Sequence, residues 1–290
     1  EEESIKLGSA LLSPAPLNIR VNTINNISVK EVIEQLTFSF NFEKTKIFET
    51  PLSKLGISLP RGTAIQKHKL FLDGSIEVQE EGSQLLTYLL DAKRGHMVAD
   101  FCAGAGGKTL GISAMMKNTG RIYAFDVSEK RLANLKQRLK RSGASNIAMQ
   151  RINNENDLKI KRLRNKFDRV LVDAPCTGLG TLRRNPDLKW RQNENALSEL
   201  VVKQAAILSA AAKLCKKGAY LVYATCSILE DENEKIVDSF LADNKNFIIL
   251  PQHKVMKKHG VDIGNGDYLK LTTHRHKTDS FFGALMERIA

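Results

Sequence analysis

From Met97 onward the chain alternates short apolar strand candidates with helical patterns, and this alternation restricts the fold more than any other feature. Met97 to Phe101, Ile122 to Asp126, Asn146 to Ile152, Arg169 to Asp173, Ala219 to Ala224 and Phe247 to Leu250 read as strands, and Ser280 to Arg288 adds a last one. Helical patterns separate most of them, including one opened by Asp231, Glu232 and Asn233 that runs from Lys235 to Leu241. Strands and helices in this order build a mostly parallel sheet with helices on both faces. Ligands then bind in the crevice at the carboxyl ends of the strands.

The residues ahead of this unit follow another pattern. After a Ser-Pro-Ala-Pro break at 13–16, Leu17 to Thr23 alternates like a strand, Ser28 can cap a helix from Val29 to about Leu36, and Lys46 to Phe48 reads as a further strand. Residues 1–75 are read as a small α+β module and 76–290 as the main domain, whose first helix is expected from Val78 to about Leu90. The net charge of +12 favours a polyanionic partner, with nucleic acid first among them. The module then reads either as a platform that positions RNA or as a packing appendage, and pattern alone does not separate the two. The basic stretch from Lys130 to Arg169 is open in the same way, between RNA contact and solvated helix faces.

A chain of 290 residues needs no staple to fold. Its four cysteines, at 102, 176, 215 and 226, have neither zinc-finger nor disulfide-scaffold spacing, which fits a reducing cytoplasm. His274 and His276 lack partners for a metal site, so no metal is expected. No apolar run is long enough to span a membrane. The chain begins at Glu1 without methionine, which fits a fragment or a chain whose natural amino-terminal part is missing.

Two constellations carry the chemistry. In the first, Cys102-Ala103-Gly104-Ala105-Gly106-Gly107-Lys108 follows the strand ending near Asp100 and opens a helix. Glycines let a ligand approach the backbone, and Asp126, roughly twenty residues on at the end of the next strand, can accept hydrogen bonds from ribose hydroxyls. A P-loop needs glycine where Cys102 stands, and the dinucleotide fingerprint needs a small residue where Thr109 stands; an adenosyl cofactor without pyrophosphate fits better. In the second, Asp173-Ala-Pro-Cys176 ends one strand and Cys226 the next, so adjacent parallel strands would deliver an acid and two thiols to one crevice. A free cysteine taken alone is usually a small buried hydrophobe; this arrangement is hard to explain as core packing. Arg183, Arg184, Lys189 and Arg191 follow as candidate phosphate contacts, and Trp190 can stack a base or anchor packing.

These motifs, with Arg20-Val-Asn-Thr23, Gln79-Glu-Glu-Gly-Ser83, Arg183-Arg-Asn-Pro-Asp187, Thr225-Cys226-Ser227 and His274 to Phe282, resemble the Fmu/Sun-type family of RNA cytosine-5 methyltransferases over about residues 17 to 290. The resemblance implies a class I methyltransferase core, Rossmann-like with a mostly parallel seven-stranded sheet, behind a small RNA-binding module that includes Arg20. It implies S-adenosyl-L-methionine held by residues 102–108, Asp126, Asn153 and Asp173, and ribosomal RNA, most often of the small subunit, as substrate for a monomeric cytoplasmic enzyme. It also implies Cys226 as nucleophile, Cys176 as the thiol that assists product release, and Asp173 as the group that holds the cytosine. Related DNA enzymes use the Pro-Cys thiol as nucleophile, which leaves the exchange of roles as the alternative. Two departures stand out. Ala105 replaces a usual proline, and Asn153 and Asn154 stand where an acid is expected to contact the adenine end of the cofactor. Bacterial relatives often carry a helical domain in front that is not seen here. The competing functions are a P-loop NTPase and a non-catalytic RNA-binding or ribosome-assembly factor.

Overall fold

The computed structural model describes residues 2–43 and 46–290. After a helix at Glu2–Leu12, four antiparallel strands form the first sheet: β1 (Leu17–Val21), β2 (Phe48–Glu49), β3 (Gly56–Leu59) and β4 (Ile76–Val78), in the order β2-β3-β1-β4. The helix Val29–Phe40 covers it. Ser28 and Glu31 cap that helix reciprocally, and Val32 and Leu36 pack with Ile19, Ile57 and Ile76.

β4 corrects two expectations. Val78 pairs with Ile19, so the first sheet runs past residue 75, and the helix expected from Val78 begins only at Glu81 and ends at Leu89. A three-residue strand is too short to show alternation. The strand expected from Lys46 begins at Phe48.

The second sheet contains β5 (Met97–Asp100), β6 (Arg121–Asp126), β7 (Ile147–Arg151), β8 (Phe167–Asp173), β9 (Cys215–Thr225), β10 (Phe247–Leu250), β11 (Tyr268–Leu271) and β12 (Phe281–Arg288). Its order is β10-β12-β9-β8-β5-β6-β7. Strands β5 to β9 run parallel, and β12 is antiparallel to β9. β10 and β11 lie end to end on the other edge of β12, opposite Leu285–Arg288 and Phe281–Ala284 respectively. Eight strands thus fill seven positions, and the expected seven-stranded sheet has one position split in two.

Period-two geometry explains why both faces are apolar. Val170, Val172, Leu221 and Tyr223 join one core with Ile207 and Leu208 of the helix Glu194–Ala212 and Ile236 of the helix Glu234–Asp243. The intervening Leu171, Val222 and Ala224 join the other core, with Leu85, Leu89 and Ile112 from the helices Glu81–Leu89 and Gly107–Met115. Each fully buried Leu or Val stabilises the fold by roughly 1.5–3 kcal/mol. Among the described residues no helix is long and apolar enough to cross a membrane.

Buried polar bonds fasten the first sheet to the second. Glu77 on β4 accepts from Arg138 and Arg141 of the helix Glu129–Ser142, and Asn22 Nδ2 donates to the carbonyls of Gly74 and Ser142. The juxtaposition that shapes the crevice at the strand ends is that of β8 and β9. Asp173 pairs with Ala224, so the residues just beyond both strand ends emerge side by side.

Candidate active site

The loop after β5 turns through two positive-φ glycines, Gly104 (56°) and Gly106 (84°). At Gly106 a Cβ would lie 2.1 Å from Leu135 Cδ1 on a left-handed backbone that side chains rarely adopt, which favours glycine there. Asp126 at the end of β6 braces the turn: its Oδ2 accepts from Gly104 N at 2.8 Å and its Oδ1 from Ser128 N at 2.7 Å. Arg138 donates to the Ala105 carbonyl at 3.0 Å, which ties down the one position where the usual proline is absent.

This loop forms one side of a cavity of about 370 Å³ bounded by Cys102, Gly104, Asp126, Asp173, Cys176 and Cys226. Phe101, Ile152, Pro175 and Ile207 supply apolar walls. The donor set suits an adenosyl group: apolar surfaces for a flat purine and a carboxylate at the end of β6 for a ribose diol. Asn153 is not part of this wall. It is exposed, and its backbone N–H donates to Asp157, whereas Glu155, two residues on, lines the cavity. Glu155 is thus the cavity-lining acid next to positions 153 and 154, where the resemblance implied one, and the turn after β7 carries it there.

At the other side the thiols meet. Cys176 Sγ lies 3.3 Å from Cys226 Sγ. The S–H···S bond lowers the Cys226 thiol from its ordinary value, helped by the Lys108 ammonium and opposed by burial and Asp173. The same bond and burial push Cys176 well up, and the Glu232 carboxylate adds to the shift. The two shifts run in opposite directions, so Cys226 is the thiol of the pair that ionises more readily.

Lys108 departs from its expected cofactor role. Its Nζ donates to Asp173 Oδ2 at 2.8 Å, and it is not among the residues lining the cavity. Burial pulls its ammonium down, but the charge and hydrogen bond of Asp173 outweigh this and hold it above its usual value. Beneath them, burial pushes the Asp100 carboxyl up to about 7.

Residues 87–287 match the family described as 16S rRNA methyltransferase RsmB/F. The chain belongs to that family. A probable ribosomal RNA small subunit methyltransferase B from Synechocystis is 33% identical over 94% of this chain and 60% of its own length. Its Bacillus subtilis counterpart is 29% identical over 99% of this chain and 63% of its own. The chain thus spans under two thirds of the length of these relatives. A solved methyltransferase homologue from Pyrococcus horikoshii matches with a TM-score of 0.81 at 29% identity, covering 99% of this chain and 91% of that one. S-adenosylmethionine is the methyl donor of the RsmB/F family, and the cavity beside Asp126 fits it.

The basic residues read as RNA contacts divide sharply in this RsmB/F chain. Arg20 is 2% exposed and donates to Gln79 Oε1 inside the junction between the sheets, where burial pulls its guanidinium down to about 10. Arg183 pairs with Asp279, and Arg184 donates to Asp279 at 2.6 Å and to the Pro16 carbonyl at 2.9 Å. The side chains of Arg183 and Asp279 are 5% and 1% exposed. Arg20 and Arg183 are buried in pairings that hold the fold together, whereas Arg184, though bonded to Asp279 and Pro16, keeps 28% of its side chain exposed. Lys189 and Arg191 are exposed, and Arg191 pairs with Asp187.

Sequence reasoning missed the residues that fix the thiols. Glu232 is fully buried, and its carboxylate accepts from Thr177 N (2.8 Å), Thr177 Oγ1 (2.5 Å) and Gln204 Nε2 (2.9 Å), directly behind Cys176. Asn233 bonds Thr225 Oγ1 and the Ser227 carbonyl, on either side of Cys226. A buried carboxylate needs such partners. The Glu-Asn pair at the start of a helix was read only as a helix opening.

Proposed function

We propose that this chain methylates carbon 5 of a cytosine in RNA, with small-subunit ribosomal RNA as substrate. The observation that carries the reading is the Cys226–Cys176 pair, 3.3 Å apart at the edge of the cavity that Asp173 and the glycine loop bound. Cytosine carbon 5 is a weak nucleophile. The Cys226 thiolate adds to carbon 6, forming a C–S bond and pushing an electron pair toward carbon 5, so that one difficult step becomes two easier ones. Asp173, oriented by Lys108, is placed to hydrogen-bond the ring edge and stabilise the charge that develops there.

When bound, S-adenosylmethionine supplies an electrophilic methyl group for carbon 5. A base, water in the simplest case, then takes the carbon 5 proton, the C5–H electron pair re-forms the C5–C6 double bond, and the C6–S bond breaks so that Cys226 leaves as thiolate. In this reading Cys176, whose shift favours its protonated form, assists that departure by donating its S–H to the leaving sulfur. The target base must be unstacked to reach the crevice, which costs a few kcal/mol in a duplex and less in a loop.

The test is methyl transfer to unmethylated small-subunit ribosomal RNA by wild type, Cys226→Ala and Cys176→Ala, with denaturing gels for covalent protein–RNA adducts. Cys226→Ala is expected to abolish transfer and adduct, and Cys176→Ala to accumulate adduct. The opposite pattern assigns the nucleophile to Cys176. A wild type that binds RNA and cofactor but transfers nothing favours the assembly-factor reading.

A further inference from the structure

Trp190 is the single tryptophan of the chain, and at 81% exposed it anchors no packing within it. It sits on the one-turn helix Leu188–Arg191, none of whose residues is buried. That turn is tied on both sides to the loop that carries Cys176. Gln192 Nε2 donates to the Thr177 carbonyl at 3.0 Å, and Leu188 Cδ1 lies so near Gly178 that a Cβ there would approach it to 3.1 Å. Thr177 and Gly178 follow the thiol directly. Two residues of chain reach at most ~7 Å, so the backbone that carries the indole stays near Gln192 and the Thr177 loop that bounds the cavity.

A large apolar ring kept in water beside a reactive cavity lacks a partner, and the surrounding charge narrows what that partner is. Lys189 Nζ lies 5.0 Å from the indole centroid, Arg191 shares the turn, and Lys203 on the next helix lines the cavity. This combination of one flat ring and cations at phosphate-reaching length is how proteins hold unpaired nucleotides. We propose that Trp190 is a stacking platform for the base next to the target cytosine, with Lys189 contacting the adjoining phosphate. The proposal rests on the RNA reading above and adds a substrate requirement: a single-stranded neighbour whose base is free to stack. Once the target base is drawn into the crevice its neighbour loses a stacking partner, and the indole replaces it.

The experiment uses the full chain. Because Trp190 is the sole tryptophan, emission excited at the red edge of indole absorption reports on this ring alone. A short single-stranded RNA containing one cytosine is titrated in, with binding followed independently by filter retention, and the same RNA with abasic sites flanking the cytosine is the comparison probe. Quenching that saturates with binding is expected. Trp190→Ala should lower kcat/KM for the intact RNA by roughly 5- to 100-fold, and Trp190→Phe should retain most of it. Cofactor affinity should not change in either variant. The abasic RNA should cost the wild type the same factor and cost Trp190→Ala almost nothing more, since the two changes remove one interaction.

Unchanged emission at saturating RNA overturns the proposal, as does Trp190→Ala acting on intact RNA like the wild type; the methyltransferase reading survives both. A ring quenched by a protein partner and not by RNA overturns it too. If the wild type binds no RNA at all, the RNA reading fails and this proposal fails with it.

Discussion

The end of β9 and the loop after β8 bring one thiol each to the same place and surround them in opposite ways. Around Cys226 the neighbouring ions are the Lys108–Asp173 pair, partly open to the cavity, whose cation favours a thiolate. Around Cys176 the neighbour is the fully buried Glu232 carboxylate, which disfavours one. The bond between the thiols is the largest cause of both shifts, lowering Cys226 and raising Cys176; Lys108 adds to the first against burial and Asp173, and Glu232 adds to the second. If Cys226 is the nucleophile, as proposed, the difference between these surroundings is what favours it, and the comparison can be broken from either side.

The largest effect is expected on the Cys226 side. Lys108→Met removes the cation that both favours the thiolate and orients Asp173, and single-turnover methyl transfer should fall by about 10²–10³-fold, the usual cost of one electrostatic stabiliser. Cofactor binding, measured by isothermal titration, should change little, because Lys108 is not among the residues lining the cavity. A large loss of cofactor affinity at a preserved transfer rate returns Lys108 to the cofactor role that its sequence position implied.

A smaller and different effect is expected on the Cys176 side. Glu232→Gln keeps the shape but turns one acceptor toward Thr177 into a donor, which leaves an N–H or O–H there without its partner. The change should cost about 1–3 kcal/mol of stability, read from denaturant unfolding. Because the loop that carries Cys176 loosens, adduct should persist on denaturing gels as it does for Cys176→Ala, while its rate of formation stays near that of the wild type. Slower formation with normal release would place Glu232 on the wrong side of the comparison.

The parts of the molecule that were readable in the sequence are those in which local pattern and final environment agree. Alternation along Val170–Val172 and Leu221–Ala224 reports burial on both faces, and strand ends at Asp173 and Thr225 bring the acid and thiols together. What escaped depends on residues remote in the chain. Arg183 and Arg184 look like phosphate contacts until Asp279, about 95 positions later, pairs with both. Asn153 occupies the expected register, but the turn after β7 presents Glu155 instead. β11 is four residues long and acquires its meaning only from the free half-edge of β12. Charge type is visible locally, whereas the partner that neutralises it is not.

The finest probe of the comparison is the pH at which Cys226 becomes reactive. A thiolate attacks and a thiol does not, so alkylation by iodoacetamide, followed at Cys226 by peptide mass spectrometry, rises with pH through the midpoint of that group. In the wild type this midpoint lies below the ordinary cysteine value, because Cys176 donates S–H to the thiolate and Lys108 adds positive charge. Cys176→Ala removes the first and larger of these while burial and Asp173 continue to oppose ionisation. The reactive limb should therefore move to higher pH, and alkylation at neutral pH should slow. Glu232→Gln acts through the donor and not the thiolate, so it should shift the limb less than Cys176→Ala does. A limb that stays in place when Cys176 is removed would mean that Lys108 alone sets the thiolate, and the two thiols would then be neighbours without being a pair.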